Sequence, residues 1–240
     1  MSTYVLVHGS WHGAWCWEKI VPQLEQAGHR VLAVELPGNG TDDTPVSEVT
    51  LESGVNKTLE LLDKADEPVV LVGHSMGGVT ISQVAEERPD KVQALVYVTA
   101  FMLADGQSLL NIPTDEEGLL APNMIPSEDG SYVTVPRPLL TEIFYACCDP
   151  ADAERAIARF GVQSLGPLPT PLKLTEGRYG RIPRYYVACR RDRAITHRSQ
   201  QEMIEALPCK EVYTLDVDHS PFYSAPDQLT GILTEIGGKG

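Results

Sequence analysis

Short apolar segments alternate with amphipathic ones along this chain, and that alternation restricts the fold more than any other feature. Tyr4-Val5-Leu6-Val7-His8 is rich in β-formers and is closed by Gly9. Trp17 to Ala27 reads as a helix, with Ile20, Val21 and Leu24 on one face and Gly28 as its cap. A strand over Arg30 to Leu36 stops at Pro37-Gly38-Asn39-Gly40, and a helix over Leu51 to Asp63 keeps Val55, Leu59 and Leu62 in register. Pro68 to Gly73 and Val92 to Thr99 are near-continuous apolar runs, the pattern of strands buried on both faces. Between them the spacing predicts a helix from Gly77 to about Arg88. The rhythm returns late, with strands at Arg184–Cys189 and Glu211–Leu215 and helices at Arg198–Leu207 and Asp227–Ile236. This order predicts an α/β fold, a mainly parallel sheet flanked on both faces by helices in right-handed crossovers.

One stretch breaks the rhythm. Residues 105–181 carry nine prolines, and only Pro138 to Cys147 and Ala151 to Phe160 read as helical. That is too long for a connecting loop in a compact domain, so the stretch is expected to be a lid. The chain then divides into a core of residues 1–104 and 182–240 and an insertion of residues 105–181.

Composition removes several classes of function. The 33 acidic and 19 basic residues give a formal charge of −14, a field that repels nucleic acid and anionic lipid. The one basic run, Arg190-Arg191-Asp192-Arg193, reads equally as a solvated loop or a ligand clamp. No apolar stretch approaches the roughly 18 residues of a membrane span, and no leader opens the chain. Five cysteines match no zinc spacing and read as reduced thiols. A cytoplasmic location is the expectation, without cofactor or metal and with no membrane or nucleic-acid partner; a homodimer is left open.

The chemistry centres on Gly73-His74-Ser75-Met76-Gly77, a Gly-x-Ser-x-Gly run with a strand before it and a helix after it. A serine on such a turn projects above the sheet near the positive end of the helix. Its hydroxyl needs a base. Of six histidines, His219 follows the last expected strand, where loops at the carboxyl edge of a parallel sheet converge. Asp192, one strand earlier, is the expected acid that orients the imidazole. Asp218 is its rival but reads as a loop-shaping group. An acyl intermediate also needs two donors for its oxyanion. The amide of Met76 should supply one and the amide of Ser10, in the loop after the first strand, the other. His8 and His12 are spaced i, i+4, yet a loop separates them, which argues against a metal pair.

Several stretches carry a resemblance: His8-Gly9-Ser10-Trp11-His12-Gly13-Ala14-Trp15, Ala27-Gly28-His29-Arg30-Val31, Gly73-His74-Ser75-Met76-Gly77-Gly78, Ala100-Phe101-Met102 and Asp218-His219. Together they resemble the α/β-hydrolase superfamily, and within it the plant methylesterase and hydroxynitrile lyase branch with its bacterial esterase relatives. The resemblance implies an α/β-hydrolase fold and a carboxylic ester hydrolase working through Ser75, His219 and Asp192. The lyases of that branch differ at two positions, with threonine where Gly9 stands and lysine where Ser220 stands, so the resemblance favours ester hydrolysis over cyanohydrin cleavage. A C–C hydrolase or a small-molecule receptor on the same fold are the further alternatives. Gly9, Trp11, Phe101 and Met102 are expected beside the serine, with Leu139, Phe144 and Tyr145 covering it. The expected substrate is a small, apolar or aromatic ester.

Overall fold

The computed structural model describes residues 1–113 and 115–239; positions 114 and 240 of the ranges above lie outside the described residues. The first four strands are β1 (Thr3–Val7), β2 (Arg30–Val34), β3 (Val69–His74) and β4 (Val92–Val98). Three short strands follow, β5 (Ile125–Pro126), β6 (Tyr132–Thr134) and β7 (Gln163–Ser164), and then β8 (Arg184–Cys189) and β9 (Glu211–Leu215). The main sheet runs β2-β1-β3-β4-β8-β9 and every pairing in it is parallel.

Alternation along β1 shows how the sheet is covered. Tyr4 and Leu6 pack on one face with Ile20 and Leu24 of α1 (Ile20–Gln26) and Leu229 and Leu233 of α8 (Pro226–Gly237). Val5 and Val7 point to the other face. That face carries the cluster built with Leu51, Val55 and Leu59 of α2 (Leu51–Leu62), Val79 and Ile81 of α3 (Gly77–Glu87) and, farther along the sheet, Met203 of α6 (His197–Ala206). β3 is buried along its whole length, as its unbroken apolar run requires.

The first helix differs from the expected Trp17–Ala27. Ala14–Trp17 forms a separate 3₁₀ turn and α1 starts at Ile20. Pro22 gives the reason, because it has no N–H and is tolerated only in a first helical turn, where that donor is unused.

The insertion between β4 and β8 holds α4 (Leu140–Phe144), α5 (Pro150–Arg159) and the antiparallel sheet β5-β6-β7, which local patterns did not disclose. Asp149 caps α5 by accepting from the Ala151 amide. A single turn, α7 (Pro221–Ser224), precedes α8. All five cysteines are free thiols. Among the described residues no helix is long and apolar enough to cross a membrane.

Candidate active site

β3 ends at His74 and α3 begins at Gly77, so Ser75 and Met76 must redirect the chain within two residues. Ser75 takes a φ of 52°, a left-handed conformation that costs a β-carbon residue about 1 kcal/mol or more. Packing enforces it. A Cβ at Gly77 would lie 2.7 Å from the carbonyl oxygens of Val7 and His8, so the helix start can press on the end of β1 only as glycine. A Cβ at Gly9 would lie 2.5 Å from the Cβ of Ser75. Gly9 therefore gives the serine room and supplies no wall, which corrects its expected place as a binding residue.

Asp192 and His219 stand on the loops after β8 and β9, at the same sheet edge. One oxygen of Asp192, Oδ1, accepts the amides of Ala194 at 2.7 Å and Ile195 at 2.9 Å. The other, Oδ2, accepts the Thr99 hydroxyl and, at 2.6 Å, Nδ1 of His219. Both side chains are buried. Donation from Nδ1 leaves Nε2 as the basic nitrogen. The His74 ring packs 4.6 Å from the His219 ring, and its Nε2 donates to the His219 carbonyl at 2.8 Å. The histidine loop is thus held directly against the residue preceding Ser75. Among the described residues no hydrogen bond joins the Ser75 hydroxyl to Nε2 of His219 or to any other group. Asp218 turns away from the imidazole and accepts from the Ser220 amide, the Ser224 hydroxyl and the Cys147 amide, a loop-shaping role.

The loop after β1 is fixed by the two histidines whose spacing suggested no metal pair. The Leu36 amide donates to Nε2 of His8, so Nδ1 carries the proton and donates to the Gly9 carbonyl at 2.8 Å. His12 Nδ1 donates likewise to the Ser10 carbonyl at 2.8 Å, and its Nε2 accepts the Tyr145 hydroxyl at 2.8 Å. Trp11 is left-handed here, with φ 61°. The Ser10 hydroxyl reaches the Met76 sulfur at 3.4 Å, so the side chains of these two residues are in contact. Neither the Ser10 nor the Met76 amide has an acceptor among the described residues.

Burial keeps these rings neutral. It lowers the pKa of His8 and His74 and pushes His12 down to about 3, with the charge of His219 adding to the effect on His12. A ring that is neutral when folded takes up a proton when the chain unfolds, so its contribution is complete above the ordinary value of 6.5 and is lost as pH falls below it. One to three such rings give a slope of between about 1.4 and 4 kcal/mol per pH unit below about 6. Denaturant titrations at pH 7 and pH 5 should show that loss; equal stability at both would refute it.

A cavity of about 290 Å³ opens over Ser75. Ser10, Trp11, Met76 and Phe101 line it beside the serine, and Leu120, Met124, Leu168 and Ile195 add apolar lining. Thr196 and Ser199 add hydroxyls, with Thr196 bonded to the Asp115 carboxylate. Trp11 and Phe101 thus both line the cavity that Ser75 lines. Phe144 and Tyr145 do not line the cavity. The Phe144 ring is buried against those of Trp11, Phe160 and His219, at 5.8, 5.2 and 5.5 Å, and the Tyr145 hydroxyl is taken by His12. Leu139 packs with that aromatic cluster, and Met102 borders a separate, smaller cavity with Met203. The walls that replace them come from irregular segments, whose side-chain directions follow no period readable in sequence.

A family model described as "Alpha/beta hydrolase family" matches residues 4–231, nearly the whole chain. The chain belongs to the alpha/beta hydrolase family. Members of this family similar to it include Methylesterase 9 of Arabidopsis thaliana, 36% identical over 260 residues that span 100% of this chain and 99% of that protein. Among solved structures it is similar to a variant of tomato methylketone synthase I complexed with beta-ketoheptanoate. The TM-score is 0.89 at 26% identity, covering 99% of this chain and 98% of that one. A pyrethroid hydrolase from Sphingobium faniae superposes with a TM-score of 0.86 at 29% identity, covering 99% and 97%. The α/β-hydrolase fold expected from the sequence is the fold observed.

Proposed function

We propose that this α/β-hydrolase is a carboxylesterase for small, apolar or aromatic esters, working through Ser75, His219 and Asp192. One observation carries the reading: a left-handed serine that lines an apolar cavity together with Ser10 and Met76, whose amides have no acceptor among the described residues. The Ser75 oxygen attacks the ester carbonyl while Nε2 of His219 takes its proton. The charge that develops on the carbonyl oxygen is met by the amides of Ser10 and Met76. The tetrahedral intermediate collapses to an acyl-serine as the imidazolium protonates the departing alcohol. Water then attacks the acyl group with the same imidazole as base, and free acid and free serine result. Asp192 stabilises the imidazolium and holds it in place. Residues 105–181 serve as the lid, since Leu120, Met124 and Leu168 of that stretch wall the cavity. The names of the relatives, methylesterase and pyrethroid hydrolase, agree with an ester substrate.

Cyanohydrin cleavage fits less well. The threonine of the lyases would need a Cβ at Gly9, 2.5 Å from that of Ser75, and Ser220 is fully buried where they carry lysine. A short p-nitrophenyl ester should give a burst of about one p-nitrophenolate per chain followed by steady turnover. Cyanide release from mandelonitrile at a comparable rate would overturn the assignment, and a single turnover without recycling would favour a receptor.

A further inference from the structure

β1 and β9, whose loops carry the Ser10 amide and His219, are separated in the sheet by β3, β4 and β8. The oxyanion donors and the base must nevertheless hold their separation to within about half an ångström for efficient chemistry. One short stretch of the insertion touches both loops. Tyr145, just after α4, donates its hydroxyl to Nε2 of His12 at 2.8 Å, and His12 in turn holds the Ser10 carbonyl. Two residues on, the Cys147 amide donates to Oδ2 of Asp218 at 2.6 Å, joined by the Cys148 thiol at 3.6 Å. Asp218 Oδ1 accepts the Ser220 amide at 3.1 Å and the Ser224 hydroxyl at 2.8 Å, so its carboxylate spans the insertion and the His219 loop. The Cys148 amide closes the stretch into a turn on the Tyr145 carbonyl at 3.1 Å.

We propose that residues 145–148 form a clamp that sets the distance between the oxyanion loop and the histidine loop, with Tyr145 and Asp218 as its two positioning residues. The proposal rests on the esterase reading of the site. Neither side chain lines the cavity, and both are about 1% exposed, so they act through His12 and the backbone of residues 218–220 and not on the substrate. A clamp of this kind fixes reacting geometry, so its loss falls on kcat and spares KM. Two other bonds tie the oxyanion loop to the insertion, Trp11 Nε1 to the Val133 carbonyl and the Gly161 amide to the Trp11 carbonyl, and these survive when the Tyr145 hydroxyl is removed.

The test is p-nitrophenyl ester kinetics on Tyr145→Phe, Asp218→Asn and the double variant, with amide hydrogen exchange read in the absence of substrate. Each single change should lower kcat about ten-fold with KM within two-fold, and the double should lose no more than the worse single, because the clamp opens once. Either change should speed exchange in both residues 10–12 and 219–220. Ser224→Ala, which loosens the Asp218 loop without touching residues 145–148, should stay within two-fold of wild type. The clamp is overturned by an unchanged kcat in Tyr145→Phe, by losses that multiply in the double variant, or by exchange that quickens only in the loop nearest the substitution. It is overturned equally if Ser224→Ala matches Asp218→Asn. Turnover that survives Ser75→Ala would instead strike the esterase reading, and the exchange data would still decide the clamp.

Discussion

Replacing Ser75 by alanine should lower kcat on a p-nitrophenyl ester by on the order of 10⁵-fold, about 7 kcal/mol of transition-state stabilisation. KM should stay within a few-fold, because the Trp11, Phe101, Leu120 and Leu168 side chains that line the cavity are untouched. The fold should be unaffected, since the Ser75 carbonyl keeps its bonds from the Gly78 amide at 3.1 Å and the Phe101 amide at 3.0 Å. The burst should vanish with the nucleophile. Initial rates, burst amplitude and a melting curve measured on one preparation check all three statements. A rate within ten-fold of wild type would remove the serine from the chemistry.

Asp192→Asn should be nearly as damaging, with kcat down about 10⁴-fold and the melting temperature little changed. The buried carboxylate takes four donors, two on each oxygen. If the amide oxygen of asparagine keeps the Ala194 and Ile195 amides, its NH₂ faces Nδ1 of His219. The imidazole then turns into the tautomer with its proton on Nε2, where it has no lone pair to offer Ser75. The remaining bonds hold the loop, so the loss is in the protonation state and not the fold. Kinetics at pH 7 beside circular dichroism separate the two. A loss under ten-fold would show that Asp192 only shapes its loop.

These residues were legible because their signals are local. β8 and β9 are bounded as expected to the residue, since each is a short β-rich run between clear breakers. The serine turn needs small neighbours at fixed offsets, and the positions of Asp192 and His219 follow from the carboxyl-edge rule for parallel sheets. The insertion was opaque for the opposite reason. β6 pairs with β7 through Tyr132 and Ser164, 32 positions apart, and β5 and β7 are two residues long, so no periodicity announces them. Phe144 and Tyr145 were misplaced because aromatic residues at the end of a short helix can serve a cavity or a core equally well. His12 takes the Tyr145 hydroxyl, and a cluster of tilted and edge-on rings takes Phe144. The left-handed Trp11 and Thr99 carry no sequence mark at all, since neither is a residue that favours that region.

The insertion thus divides into separate territories: Leu120, Met124 and Leu168 line the cavity, whereas Tyr145 and Cys147 hydrogen-bond to the loops that carry Ser10 and His219. A lineage can therefore retune which molecules are admitted by exchanging side chains in the first territory, while the bond-breaking apparatus stays under the stewardship of the second. Divergence among descendants of such a scaffold should concentrate in appetite well before it reaches chemistry.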